Sequence, residues 1–372
     1  MERNYLLLTP GPLSTTETVR KAMLQDWCTW DKDYNEGIVT PLRKGLLEIA
    51  GLNPEKYTDV LLQGSGTYCV EATIGAAVRP EDKLLILANG AYGKRMAQIA
   101  EYYKINYVLV SLSETELITG EIAQKALEEN PDITHLSMVH SETTTGLLNR
   151  IEEVAEVIRG KGITFIVDAM SSFAGVPIDI EKLGIDFLVS SANKCIQGVP
   201  GFGFIIAKKD KLMATKGNAR SLSLDIYAQW ETMEKGHGKW RFTSPTHVVR
   251  AFYQAMMELK AEGGIEARHR RYVENHRTLV EGMRKLGFKT LLPDEKQGCI
   301  ITSFYYPDTD FDFTGFYNKL KNKGFVIYPG KISEADTFRI GNIGDIYPED
   351  IKALLQLSLI HISEPTRRSY IS

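Results

Sequence analysis

Between residues 58 and 210 the chain alternates short apolar runs with stretches of helical period. The apolar runs are Asp59–Leu62, Lys83–Leu87, Asn106–Val110, His135–Val139, Thr164–Val167, Phe187–Ser190 and Phe202–Ile206. They are rich in Val, Ile and Leu, and several are apolar throughout, the pattern of strands covered on both faces. Amphipathic segments stand between many of them, among them Tyr68–Val78, Gly93–Tyr103, Gly120–Glu128 and Ile151–Arg159. Strand–helix alternation predicts an α/β fold with a mostly parallel, doubly wound sheet of seven strands. Thr246–Leu286 then reads as one or two long amphipathic helices broken near Gly263-Gly264. They lead to a smaller C-terminal α/β unit with strands near Ile300–Tyr305, Phe325–Tyr328 and Phe338–Ile340. The expected division is a large domain over residues 15–250 and a small domain over 251–356, joined by the N-terminal segment 1–14. Residues 357–372 have no clear helical period and are expected to be a non-native tail.

With 372 residues, 43% of them hydrophobic, the chain can bury a core large enough for two domains. A net charge of −3 gives no reason to expect nucleic-acid binding by charge. The four cysteines, Cys28, Cys69, Cys195 and Cys299, stand far apart and form no C-x-x-C pair. That argues against a zinc site or redox dithiol and fits a reduced, cytoplasmic setting. The three leucines of the opening MERNYLLLTPGP are too few for a signal peptide, and no stretch approaches the ~18 apolar residues of a membrane span.

Three motifs carry candidate chemistry. Gly64-Ser65-Gly66-Thr67 follows one predicted strand and opens a helix. Such a turn suits a phosphate, with bare N–H groups, two hydroxyls and the positive helix end. It equally suits a plain turn in which Ser65 or Thr67 caps the helix. Asp168 ends the run ITFIVD, at the sheet edge where doubly wound folds bind ligands. A carboxylate buried there needs a cationic partner, unless it merely caps the following turn. Lys194, in SSANKCIQGVPGFGF, follows the next strand and reaches the same edge. A lysine in a partly apolar pocket has a lowered pKa and can condense with an aldehyde, whereas a loop lysine is ordinarily just solvated. Small and apolar neighbours count against that bland reading. No cluster of His, Cys and acids has metal-ligand spacing.

In this order, phosphate turn, aspartate and lysine resemble the fold-type I enzymes that use pyridoxal 5′-phosphate, and within them the class V aminotransferases. LLLTPGP, VHSETTTG and SSANKCIQGVPGFGF carry the resemblance, which covers residues 1 to about 356. A longer set of segments, including CTWDKDYN, LLQGSGTY, VDAMSSFAG, RSLSLDIYAQW, HGKWRFTSPTHVV and FRIGNIG, resembles the branch that acts on 2-aminoethylphosphonate and pyruvate.

The resemblance implies specific roles. Lys194 would carry the cofactor and Asp168 would hold its pyridine nitrogen. Ser65, Gly66 and Thr67 would bind its phosphate, Tyr92 would stack on its ring, and Thr143 would contact that ring. Thr243 would reach the phosphate of a neighbouring subunit, which implies a homodimer with shared sites. Arg339 would bind the substrate's acid group, and a guanidinium fork suits carboxylate and phosphonate alike. His140 reads as structural or ring-adjacent, because Lys194 already fills the proton-transfer role. The rivals are an alanine– or serine–glyoxylate aminotransferase, a cysteine desulfurase-like lyase, and a cofactor-binding regulator. The lyase needs a cysteine on a mobile loop and the regulator a basic helix-turn-helix, and the sequence offers neither.

Overall fold

The computed structural model describes residues 5–330, 332 and 335–363. All seven expected strands form one sheet: β1 (Tyr57–Gln63), β2 (Leu84–Ala88), β3 (Tyr107–Ser111), β4 (His135–Val139), β5 (Thr164–Asp168), β6 (Phe187–Ser191) and β7 (Phe202–Lys208). Their order is β1-β7-β6-β5-β4-β2-β3. β2, β4, β5 and β6 are buried along their whole length, as their unbroken apolar runs require. Side chains alternate between two cores. Leu84 and Ile86 of β2 enter one, with Cys69, Val70 and Ile74 of helix α1 (Gly66–Ala77) and Met96 of α2 (Ala91–Tyr102). Leu85 and Leu87 enter the other, with Ala123 and Leu127 of α3 (Gly120–Glu129) and Val154 and Ile158 of α4 (Ile151–Ile158).

β7 runs antiparallel to both neighbours, while the remaining pairs are parallel. The Ala192–Gly201 connection is shorter than the crossover of about a dozen residues that a parallel neighbour needs. Two antiparallel steps restore direction, so β1 points the same way as β6. The carboxyl ends of β1, β5 and β6 therefore lie along one sheet edge.

α5 (Thr246–Glu262) and α6 (Gly264–Lys285) break at Gly263, whose φ of +109° is open chiefly to glycine. α5 packs Val249, Phe252, Met256 and Leu259 into the larger core. Core membership changes inside α6, between Tyr272 in the larger core and Leu279 in the smaller. The smaller unit has β8 (Ile301–Tyr305), β9 (Tyr328–Pro329) and β10 (Thr337–Gly341), antiparallel in the order β8-β10-β9, with α7 (Phe313–Asn322) and α8 (Pro348–Ser363). The expected strand at Phe325–Tyr328 is split. Phe325–Val326 pairs in parallel with Leu6–Leu7, which brings Leu8 into the small core. Helix α8 runs through Leu357 to Ser363, with Ser358 buried and bonded to the Leu354 carbonyl, so the expected loss of helical character at 357 does not occur there. Glu364–Ser372 lie outside the described residues. Among the described residues no helix is long and apolar enough to cross a membrane.

Candidate active site

Asp168 is the last residue of β5, and Lys194 stands three residues beyond β6, the adjacent parallel strand. The Gly64 turn closes the same edge from β1, its N–H bonded to the Gly201 carbonyl at 2.9 Å. A cavity of about 180 Å³ opens there, lined by Ser65, Gly66, Thr67, Tyr92, Asp168 and Lys194 along with Val70, Arg95, Met170, Ser191 and Asn193.

The two central groups are electrostatically unusual. Burial pushes the Asp168 carboxyl up to about 6, against the opposing pull of the Met170 N–H, 2.9 Å from Oδ1, and of the Lys194 and Arg95 charges. Among the described residues no cation forms an ion pair with it. Burial lowers Lys194 to about 8, so a free-base fraction exists near neutral pH. Its Nζ donates to the Pro10 carbonyl at 2.8 Å. Gly11, at φ +119°, lies so close that a Cβ there would stand 2.8 Å from Nζ.

The turn has phosphate-site geometry. Ser65 is the N-cap of α1, but its side chain makes no capping bond, which leaves the hydroxyl and the first-turn N–H groups for another acceptor. Arg95, one helical turn after Tyr92 on α2, donates to the Thr67 hydroxyl at 3.1 Å and lies 5.2 Å from the Tyr92 ring centre. It adds a cation beside the turn. Only its spacing from Tyr92 signalled it in the sequence.

Two expected residues lie just outside that lining. Thr143 is fully buried and its hydroxyl has no hydrogen-bond partner among the described residues. Arg339, on the central strand β10, donates from Nη1 to the Thr143 carbonyl at 2.8 Å and from Nε to the Pro329 carbonyl at 3.0 Å. Its guanidinium lies 5.4 Å from the Tyr328 ring centre and forms no ion pair with any described residue. Thr243 is not brought to this cavity. It is exposed in a separate cleft with Tyr34, Asn35, Trp240 and Ser244. His140 is buried, pushed down to about 4, and bonded through Nδ1 to Ser172 Oγ at 2.9 Å, with its backbone N–H on the Asp168 carbonyl. These contacts make it a support for the Asp168 strand end.

Glu142 escaped the sequence reading, although it sits in VHSETTTG. It is fully buried, and burial raises its carboxyl to about 7. Oε1 accepts from the Thr144 hydroxyl at 2.9 Å and Oε2 from the Tyr92 N–H at 3.2 Å. Among the described residues no group of three or more His, Cys, Asp or Glu could hold a metal.

A lysine of lowered pKa, a buried acid that no described cation pairs with, and a helix-opening turn whose serine makes no capping bond together suit a carbonyl cofactor with a phosphate arm. The family model described as Aminotransferase class-V matches residues 55–331. A 2-aminoethylphosphonate–pyruvate transaminase of Bacteroides fragilis is 67% identical, over 95% of this chain and 98% of that protein. Its counterpart in Phocaeicola vulgatus is 64% identical, over 95% and 98%. The crystal structure of an alanine–glyoxylate aminotransferase from Nostoc sp. superposes with a TM-score of 0.88 at 24% identity, covering 98% of this chain and 96% of that one, a likeness of fold. Matched by that model over most of its length and by such near relatives almost from end to end, the chain belongs to the class V aminotransferases.

Proposed function

We propose that this aminotransferase takes the amino group of 2-aminoethylphosphonate and gives it to pyruvate, releasing phosphonoacetaldehyde and L-alanine, as a step in phosphonate breakdown. The single observation that carries the choice of substrates is the 67% identity to a relative bearing that name, over 95% of the chain. The cofactor in this reading is pyridoxal 5′-phosphate, and the residues present fit it. Among the described residues Thr143 offers a buried hydroxyl without a partner, Asp168 a buried carboxylate without a paired cation, and the Ser65–Thr67 turn a helix end whose Ser65 side chain makes no capping bond, beside Arg95.

When bound, the cofactor supplies an electron-poor ring that can hold negative charge drawn from the amine-bearing carbon. Asp168 would hold the ring nitrogen protonated, and such a cation would in turn favour the ionised carboxylate. Ser65, Gly66, Thr67 and Arg95, which line the cavity, would hold the phosphate, and Tyr92 and Thr143 would contact the ring. Lys194 would hold the cofactor's carbonyl carbon, and its amine, lowered to about 8 by burial, would take the proton from the amine-bearing carbon as a base and return it as an acid. The Pro10–Gly11 segment packs over Lys194, with the Pro10 carbonyl accepting from Nζ. Arg339 receives the phosphonate in one half-reaction and the pyruvate carboxylate in the other, which lets one guanidinium serve both.

The working unit in this reading is a homodimer. Thr243 stands apart from its own chain's cavity, and the exposed Trp30, Leu222 and Phe242 adjoin it through Lys239 and Arg241. Apolar surface of that kind calls for a partner. The test is a coupled assay comparing 2-aminoethylphosphonate and serine as donors to pyruvate, beside alanine as donor to glyoxylate. The expected result is fastest turnover with 2-aminoethylphosphonate and parallel double-reciprocal lines. Faster turnover of serine or alanine would sink the substrate assignment.

A further inference from the structure

Helix α2 carries Tyr92 in its first turn, yet its N-cap is Gly90, which has no side chain to cap it. The missing acceptor comes from another element. Glu142, just past the end of β4, places Oε2 3.2 Å from the Tyr92 N–H, at the positive end of the helix. Its other oxygen accepts from both the hydroxyl and the N–H of Thr144, at 2.9 and 3.4 Å. That pins the turn Thr143–Gly146, which is closed by the Gly146 N–H on the Glu142 carbonyl at 2.9 Å. Arg339 rests on the same turn through the Thr143 carbonyl. Gly90 leaves no slack, because a Cβ there would come within 2.3 Å of the Glu142 Cδ.

We infer that Glu142 is a positioning residue: one carboxyl group caps the Tyr92 helix from outside and fixes the turn that supports Arg339, so that the ring-covering and acid-binding side chains face the cavity together. The inference rests on the roles given above to Tyr92 and Arg339. Neither contact needs Glu142 to touch substrate or cofactor. A neutral amide of the same shape keeps most of the arrangement, with its carbonyl on the Tyr92 N–H and its NH₂ on the Thr144 hydroxyl.

The test compares Glu142→Ala, Glu142→Gln and Gly90→Ala in the full chain reconstituted with pyridoxal 5′-phosphate. Two readouts are taken. One is the visible circular dichroism of the bound cofactor, which reports how Tyr92 sits on the ring. The other is the steady-state KM and kcat for pyruvate. Loss of a hydrogen-bonded anchor predicts a KM for pyruvate raised about tenfold to a hundredfold in Glu142→Ala, with kcat changed far less. The cofactor band should weaken in the same variant, and Glu142→Gln should recover most of both signals. Gly90→Ala leaves Glu142 in the chain but displaces its carboxyl group, and should move both readouts in the direction of Glu142→Ala. A wild-type band in Glu142→Ala, or a fall in kcat with KM unchanged, would overturn the assignment. So would a Glu142→Gln variant as impaired as Glu142→Ala. If the wild-type chain turned over neither proposed substrate, the substrate reading would fail instead, and the circular dichroism with cofactor alone would still decide the role of Glu142.

Discussion

At the scale of single residues, the site is governed by what burial does to charge. Asp168 is held above the ordinary carboxylate range because it is buried and no described cation pairs with it. An amide at this position cannot stabilise a positive ring nitrogen. Asp168→Asn should keep the fold and cofactor but raise the barrier by about 3–4 kcal/mol, as removal of a preorganised electrostatic partner does. Near wild-type turnover in a folded variant would show that the nitrogen is paired elsewhere. Arg339→Lys keeps a charge but loses the fork and should weaken both substrates, with Arg339→Ala worse by comparison. The cofactor spectrum should survive in both, since the contacts proposed for the cofactor do not include Arg339. A variant that loses cofactor but binds substrates normally after reconstitution would make the arginine structural. His140 gives a pH prediction. Burial lowers its folded pKa to about 4 from 6.5, so between those values the unfolded chain binds more protons. Its share of stability is present above pH 6.5 and is lost as pH falls toward 4. His140→Gln should remove up to about 1.4 kcal/mol per pH unit from the slope of stability near pH 5, and unchanged slopes in urea titrations would refute this. Lys194, Asp168 and the Ser65–Thr67 turn were legible in sequence because each follows an apolar run and they come in a fixed order. Glu142 was not, because what marks it is a partner on another element, Tyr92, and Arg95 left only its spacing from Tyr92, its partner Thr67 lying on another helix.

At the scale of elements, apolar runs located all seven strands, since a strand buried on both faces writes its length directly into composition. Direction is not written there. The reversal of β7 follows from the length of the Ala192–Gly201 connection, a constraint of chain geometry. The split of the Phe325–Tyr328 run was likewise hidden, because its first half pairs with Leu6–Leu7, more than three hundred positions away in the chain. That pairing gives the opening TPGP its structural sense. It carries the chain from the small sheet across Lys194, where the Pro10 carbonyl accepts from Nζ and Gly11 holds a φ of +119°. Gly11→Ala should therefore combine backbone strain with a contact at Nζ. The expected outcome is a folded protein whose cofactor link forms slowly or not at all, followed by the growth of visible absorbance on adding cofactor. A wild-type rate of growth would show that the segment does not crowd the lysine.

At the scale of the whole molecule, two cores meet along α6, and the proposed site would draw from both: Asp168, Lys194 and the Ser65–Thr67 turn from the larger unit, Arg339 from the smaller. In the sequence the expected division falls at 250/251, whereas core membership changes within α6, between Tyr272 and Leu279. Thr243 is the one expected site residue that its own chain keeps in a separate cleft. On the dimer reading this has a genetic consequence. A chain lacking Lys194 and a chain lacking Thr243 are each defective alone, but a mixed pair contains one site with both residues intact. Two damaged alleles expressed together should then complement, and unfolding and refolding the purified variants as a mixture should yield more activity than the two refolded apart. Copies that each work alone would give only the average.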